Sequence, residues 1–416
     1  MQALVFDPRP GRLALAGAAS RLRPAWALGR ASPLRLVELP PPAPPSPDWA
    51  RLQVLACGIC GSDLAQVLLR ARSDNPLSGL VSFPHVPGHE IVARVLEPGG
   101  SGLAVGAQLV VDPWLGCRAR GAEPPCASCR RGFPPHCLRA AERGPWGPGW
   151  GMHLGNVRDL PGGFAAEICA HPSQLHPLPP GLEPGLGVLA DPLAVGLHAV
   201  ERAQAGGDGG QGVVLVLGAG TIGLSLALAA REAWPDRELW VTTAWQHQRR
   251  LVQALGAEPW PAQAPRVVAE AARRRHARLV KPWRGGAWLL GAGVELVLDS
   301  IGSRQTVELG LRCLAPGGRM VRVGVAKPQR TETTLTYYKE AGILGSNGYG
   351  VSQTRPGSPH LLDVALELLA RRAQDLGRWC THSFPLSRHR EAFGAAARPG
   401  PSSAIKVSLI PEGATW

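Results

Sequence analysis

No apolar run in the sequence approaches the ~20 residues that a helix needs to cross a bilayer; the longest, such as VVLVLGAG, are far shorter. The first residues, MQALVFDPRPGRLAL, lack the basic patch, apolar block and small-residue cleavage site of an export leader. These absences set the expectation of a cytoplasmic protein with no membrane partner, in a compartment where thiols stay reduced and clustered cysteines more often hold metal than form disulfides. Lysine is scarce too: only four of the 44 basic residues are lysine, at 281, 327, 339 and 406. The net charge of +13 therefore rests on arginine. Its short clusters, Arg130-Arg131, Arg249-Arg250 and Arg273 to Arg275, are separated by long stretches with few charges. Nucleic-acid binding needs a concentrated basic surface, so this spread argues against it and fits the codon bias of a GC-rich genome.

What is present is a chain of 416 residues, 45% hydrophobic, with ample material to bury and a length that predicts two or three domains. MQALVF reads as an opening strand, and the Pro-, Ala- and Arg-rich segment 8–48 as irregular or extended. RLQVLACGIC, EIVARVLEPG, GAQLVVDPW and GGFAAEICAHPSQLHPLPP follow as short strands broken by Gly and Pro, the pattern of an irregular β-rich domain. Near residue 190 the style changes. DPLAVGLHAVERAQ is helical, GGDGGQG is a linker, and strand and helix then alternate from VVLVLGAG to GRMVRVGV. Such alternation predicts a parallel sheet with right-handed crossovers. After about residue 345, HLLDVALELLARRA reads as a helix and AIKVSLIP as a last strand. The expected fold class is α/β: a β-rich domain over 1–188, a doubly wound dinucleotide-type domain over 189–344, and a return segment over 345–416 that completes the first.

Gly218, Gly220 and Gly223 form G-x-G-x-x-G within VLVLGAGTIGLSLALAA, after an apolar strand and at the start of a helix. In that context the first glycine allows the tight turn, the second lets backbone approach a pyrophosphate, and the third lets helix and strand pack closely. The helix N-terminus then faces the phosphate charge, so Gly218, Gly220, Thr221, Ile222 and Gly223 are expected cofactor contacts. About 20 residues on, an acid should accept the ribose hydroxyl of NAD. None is present. Thr243 stands at that place, and Arg249 or Arg250 follows to pair with a 2′-phosphate, which tilts the expectation from NAD towards NADP.

ACGICGSDL carries Cys60, Ser62 and Asp63, and FPHVPGHEIVARV carries His89 and Glu90. Zinc favours thiolate and imidazole, and a catalytic zinc keeps one position open. Cys60 and His89 are the natural ligand pair, with a third ligand required from elsewhere. A separate cluster, CRARGAEPPCASCRRGFPPHC, holds Cys117, Cys126, Cys129 and Cys137. On residue type alone it reads as a closed tetrahedral metal site, a disulfide pair or a CxxC redox site.

The ordered series GICGSD, VPGHE, the cysteine cluster, GGFAAE, DPLAVGLHA, GAGTIG, LAPGGRMVRVGV and FPL…EAF…IKV resembles the zinc-containing medium-chain alcohol dehydrogenases. The sorbitol, threonine and glucose dehydrogenase branch is the most similar, over nearly the whole chain apart from 8–48 and 260–290. The resemblance implies a GroES-like catalytic domain, a Rossmann domain and a cleft between them that holds the nicotinamide. It implies one catalytic zinc on Cys60, His89 and a carboxylate, Glu90 or Asp191; relatives usually carry Glu where Asp191 stands. Ser62 matches the hydroxyl that relays the substrate proton, and Asp63 the carboxylate that orients the ligand histidine. Many relatives pass the proton on through a histidine that is Ala65 here. Cys117, Cys126, Cys129 and Cys137 match the four ligands of a structural zinc in a lobe at about 112–140, although the first interval is eight residues where two are usual.

The implied function is NAD(P)-linked oxidation of a small-molecule alcohol (a polyol, sugar or amino alcohol) to a ketone or aldehyde, in a homodimer or homotetramer. Substrate choice is expected to lie in the loops 64–85 and 142–160. Two rivals carry different predictions. A reductase of the same fold without catalytic zinc is disfavoured by the joint presence of CGICGSD and GHE. An inactive zinc-containing binding protein draws support from Asp191, Ala65 and Thr243; hydride transfer to any alcohol or ketone would end it.

Overall fold

The computed structural model describes residues 1–22 (19–22 as backbone), 27–29, 32–70, 74–207, 211–325 and 330–414. Parts of segment 8–48, of loop 64–85 and of the linker 206–212 lie outside these residues. The described chain divides into two units, one of residues 1–191, 349–351 and 359–416, the other of residues 192–348 and 352–358.

Apolar residues packed on both sides of short strands build the first unit. Its seven-stranded sheet runs in the order Cys380–Pro385, Lys406–Ile410, Ala50–Gly58, Glu90–Glu97, Gln108–Val111 and Leu175–Pro177, with Glu167–Ala170 added to Ala50–Gly58. Two pairings matter for function. Gly58 lies opposite Glu90 on one side and Ser408 on the other, both antiparallel. The last described strand is thereby brought beside the segments that carry Cys60 and His89. The core beneath includes Leu52, Val54, Ile91, Phe164, Phe393 and Leu409, all fully buried.

Segment 8–48 departs from its reading as irregular. Pro10–Leu22 is an α-helix, and Leu34–Glu38 is a strand paired antiparallel with Gln2–Phe6. Proline at the first helical turn forgoes an N–H that would lack a partner anyway, and the Ala, Leu and Arg that follow are strong helix formers. The proline-rich stretch 39–48 has no helix or strand.

The second unit holds a six-stranded, all-parallel sheet in the order Glu258–Pro261, Glu238–Thr243, Val213–Leu217, Val294–Asp299, Leu314–Arg322, Gly342–Gly345. Strand order reverses between Val213–Leu217 and Val294–Asp299, the switch point at which doubly wound sheets bind ligands beyond the strand C-termini. Val213–Leu217 is buried at every residue, as a strand covered by helices on both faces must be. The stretch 260–290 adds a helix, Ala264–Arg274, and a hairpin of Arg278–Val280 with Trp288–Leu290. Trp240 and Trp260 stack at 3.9 Å between ring centroids, and Arg274 pairs with Glu238 and Glu258 at the same edge.

Candidate active site and metal centres

Cys60 caps the short helix Gly61–Val67 just after strand Ala50–Gly58, and its N–H donates to Asp63 Oδ2 at 2.9 Å. Gly88, at φ +97°, turns the chain into His89. A Cβ there would fall 2.7 Å from the Phe164 ring and 2.9 Å from Cys57 Sγ, so only glycine fits. One donor atom each from Cys60, His89 and Glu90 lies within 4.8 Å of the other two. Gly58 makes room for the third, because a Cβ on it would sit 2.0 Å from Glu90 Oε2. Lys406 Nζ donates to that oxygen at 2.5 Å, and both side chains are 2% exposed. Asp191 stands outside this trio, its Oδ2 accepting the Tyr349 hydroxyl at 2.7 Å. His89 Nδ1 is 3.8 Å from Asp63 Oδ1, within reach of its charge but too far for a hydrogen bond. Ser62 is exposed on the first turn of the same short helix.

The charges here are unbalanced. Burial pulls the His89 imidazole down, but the charges of Asp63 and Cys60 outweigh it and hold the pKa well above 6.5. Burial raises Asp63, with His89 opposing, and lifts Asp191 to about 6. Burial and the Asp191 charge hold the Tyr349 phenol well above its ordinary 10. Lys406 is lowered by burial yet raised overall by Glu90 and Cys60. One thiol and three carboxylates thus surround one imidazole and one ammonium, an excess of anionic ligands that fits a divalent cation. His153, given no role from sequence, packs with its ring tilted 51° to His89 at 5.0 Å between centroids, its Nδ1 donating to Leu154 O at 2.5 Å. Burial takes it down to about 3, so it is a neutral imidazole beside the trio.

The four cysteines of the second cluster also converge, with every sulfur within 4.8 Å of the others and no disulfide among them. Cys117 Sγ and Cys137 Sγ are 3.7 Å apart, close to the ~3.8 Å edge of a tetrahedron with ~2.3 Å zinc–sulfur bonds. Cys126 N–H donates to Cys117 Sγ and Cys117 N–H to Cys129 Sγ, each at 3.3 Å, as suits thiolate acceptors. Burial raises the Cys126 thiol, but N–H bonds from Cys129 and Leu138 outweigh it and bring the pKa to about 6. The long first interval is pinned by Arg120, whose guanidinium donates to the carbonyls of Leu115, Glu142 and Gly151 at 2.9, 3.0 and 2.5 Å. That anchoring lets an eight-residue loop deliver Cys117 to the other three. The lobe is joined to Val351, whose N–H donates to Gly132 O at 2.9 Å.

In the second unit, Gly218 has φ +98° and follows strand Val213–Leu217. A Cβ on Gly223 would lie 2.0 Å from Gly218 O, whereas a Cβ on Gly220 would meet nothing within 4 Å. The first and third glycines therefore serve the fold. The second leaves open space at the N-terminus of helix Thr221–Ala233, where a pyrophosphate fits. Thr221 and Ile222 are half-buried on the first turn. Thr243 ends its strand at the expected place; it is buried, and its hydroxyl donates to Trp260 O at 3.0 Å. The neighbouring Thr242, passed over in the sequence, accepts the Gly218 N–H at 2.8 Å and so fixes the glycine turn. Arg249 is half-buried and Arg250 exposed on helix Gln246–Ala254. Asp299 cannot replace the missing acid, since its carboxylate is buried and accepts from Ile301, Gly302 and Thr306.

Two family models match the chain: an alcohol dehydrogenase GroES-like domain over residues 46–180 and a zinc-binding dehydrogenase domain over 220–370. The chain belongs to the zinc-containing medium-chain alcohol dehydrogenase family. It is an oxidoreductase of that family, of the zinc-binding dehydrogenase type. Among curated relatives, the erythritol/L-threitol dehydrogenase of Mycolicibacterium smegmatis is 27% identical over 380 residues, 88% of this chain and 91% of its own. The crystal structure of galactitol-1-phosphate dehydrogenase from Escherichia coli superimposes with a TM-score of 0.70 at 23% identity, covering 99% of this chain and 100% of its own. A zinc-binding dehydrogenase from Sinorhizobium meliloti, with NADP bound, gives 0.66 at 26% identity over 91% of this chain and 95% of its own. Among the described residues of this dehydrogenase, no helix is long and apolar enough to cross a membrane.

Besides His153 and Thr242, the sequence reading missed Lys406, Tyr349 and Arg120. Lys406 lies in the IKV motif and is one of four lysines, which was a usable signal. Nothing along the chain marked the other two.

Proposed function

We propose that the protein oxidises a polyol to the corresponding ketose, reversibly, with NADP as the preferred acceptor. The trio of Cys60, His89 and Glu90 carries the proposal, because it offers a thiolate, an imidazole and a carboxylate within 4.8 Å beside a charge-balancing lysine. In this reading Cys60, His89 and Glu90 hold the catalytic zinc, and Cys117, Cys126, Cys129 and Cys137 a structural one. Bound there, the catalytic zinc supplies Lewis acidity that makes an alcohol easier to deprotonate, and the nicotinamide supplies the hydride acceptor.

The chain's own residues do the rest. Glu90 gives one oxygen to Lys406 and keeps the other for the metal, so the lysine restrains the carboxylate without consuming it. Tyr349 holds Asp191 back, which makes Asp191 an outer electrostatic partner of His89. Asp63 steers the imidazole by charge. Ser62, exposed at the first turn, takes the substrate proton, and with Ala65 in place of a histidine it passes that proton to water directly. His153, neutral beside His89, lines the substrate side and accepts a second hydroxyl. The polyol class follows the named activities of relatives, erythritol/L-threitol and sorbitol dehydrogenases among them. The NADP preference rests on the lack of an acid at the end of Glu238–Thr243 and on Arg249 one turn into the next helix.

The deciding experiment measures zinc per chain together with NADP- and NAD-linked oxidation of tetritols, pentitols and hexitols, in wild type and Cys60→Ala. Loss of one zinc together with all turnover in the variant is the expected result. Unchanged zinc, or no turnover with any polyol in wild type, would overturn the reading.

A further inference from the structure

A third set of metal-capable side chains converges, sharing no residue with either centre. Asp112, His176 and His360 each place one donor atom within 4.8 Å of the other two. Asp112 follows strand Gln108–Val111, and its backbone is fixed on both sides: its N–H donates to Gln174 O at 2.8 Å and its carbonyl accepts from Gln174 Nε2 at 2.9 Å. His176 lies on the adjoining strand, opposite Val110. His360 comes from far along the chain, as the N-cap of helix Leu361–Arg371. Asp112 Oδ2 and His360 Nε2 are 3.5 Å apart, near the ~3.3 Å edge of a tetrahedron with ~2.0 Å metal–ligand bonds.

Asp363 supplies the supporting contact. Its Oδ1 lies 2.6 Å from His176 Nδ1 and accepts that nitrogen's proton, which leaves the Nε2 lone pair free. A carboxylate behind a histidine is the usual support of a metal-bound imidazole, since it fixes both tautomer and ring orientation. The two imidazole rings sit 4.6 Å apart, with Tyr349 closing one side at 6.0 Å from His360. Asp112 is buried, while the His360 and Asp363 side chains are 20% and 50% exposed, so the cluster has a solvent-facing side.

We infer that Asp112, His176 and His360 bind a divalent metal ion of the zinc class, with Asp363 orienting His176. Two imidazoles and one carboxylate suit Zn²⁺ better than the oxygen-seeking Mg²⁺ and Ca²⁺ or the thiolate-seeking Cu⁺. Three protein ligands leave a fourth position for water. Metal uptake has a local cost. Leu362 N–H donates to His360 Nδ1 at 3.3 Å, which keeps the imidazole proton on Nε2, facing Asp112. Binding through Nε2 moves that proton to Nδ1 and gives up this long cap bond.

The test is a Co²⁺ titration of the full-length protein as purified, with total metal counted by mass spectrometry. A first-row metal total of three per chain is expected, with one site whose cobalt spectrum shows d–d bands and no sulfur-to-metal charge transfer. His176→Ala should remove that spectrum, and Asp363→Asn, on a half-exposed side chain, should weaken cobalt binding at least tenfold. An empty Cys60 site would lower the total by one yet leave the sulfur-free spectrum in place, so failure of the proposed function reads differently. Only sulfur-bearing cobalt spectra in wild type, whatever the variants do, would overturn the inference.

Discussion

Glu90 and Lys406 are 316 positions apart and meet in a site where neither side chain is more than 2% exposed. Breaking a buried pair by removing one partner leaves an uncompensated charge and costs roughly 3–5 kcal/mol. Lys406→Met should therefore destabilise the first unit by about that amount, and Lys406→Met with Glu90→Gln should recover most of it; urea unfolding of the double-mutant cycle reads both. At this scale the sequence revealed residue types but not directions. The convergence of the four lobe cysteines was legible from their closeness along the chain, and that of Cys60 with His89 from the family resemblance rather than from spacing. The partner of Lys406 was not, because it depends on the register between the last described strand and Ala50–Gly58. Thr243 makes the same point in reverse: its place at the strand end was readable, while its hydroxyl's turn towards Trp260 needed the neighbouring strand.

Among elements, the glycine turn gives a separable pair of outcomes. Gly223→Ala would put a Cβ 2.0 Å from Gly218 O and should lower both stability and dinucleotide affinity. Gly220→Ala enters open space, so the melting temperature should hold within a degree or two while NADPH binding, followed by fluorescence titration, falls about tenfold or more. In the cysteine lobe, Arg120→Ala removes donors to three carbonyls; on the proposed structural zinc, it should speed metal release from the lobe several-fold in a chelator assay, with the Cys60 site unaffected. Parallel alternation made the second unit's elements easy to read. Segment 8–48 misled because its prolines dominate its composition, whereas a single proline at a helix start favours the helix it seems to forbid.

For the whole molecule, pH should act on the first unit through a histidine outside the Cys60, His89 and Glu90 trio. His85 is buried against Phe6 and Phe83, its Nδ1 against Ser82 O and its Nε2 against Gln66, and burial takes it from 6.5 down to about 4. Between those values the unfolded chain binds a proton that the folded one does not, so stability falls as pH drops from 6.5 to 4 and levels off below. This one group contributes up to about 3 kcal/mol of that loss. His85→Gln should flatten the corresponding part of the curve, as urea unfolding at fixed pH values would show.

The Glu90–Lys406 contact also sets an order of events during synthesis. Chains emerge N-terminus first and units fold as they become available, so the parallel sheet of the second unit, complete by residue 345, is free to form while the first still waits for its Lys406–Ile410 strand. Until that strand leaves the ribosome, Glu90 has no counter-ion and the slot beside Gly58 has no occupant. A chain that ends short of Lys406 should therefore keep a buried Glu90 without its ammonium partner, and its first unit should be cleaved faster by protease than that of the full chain.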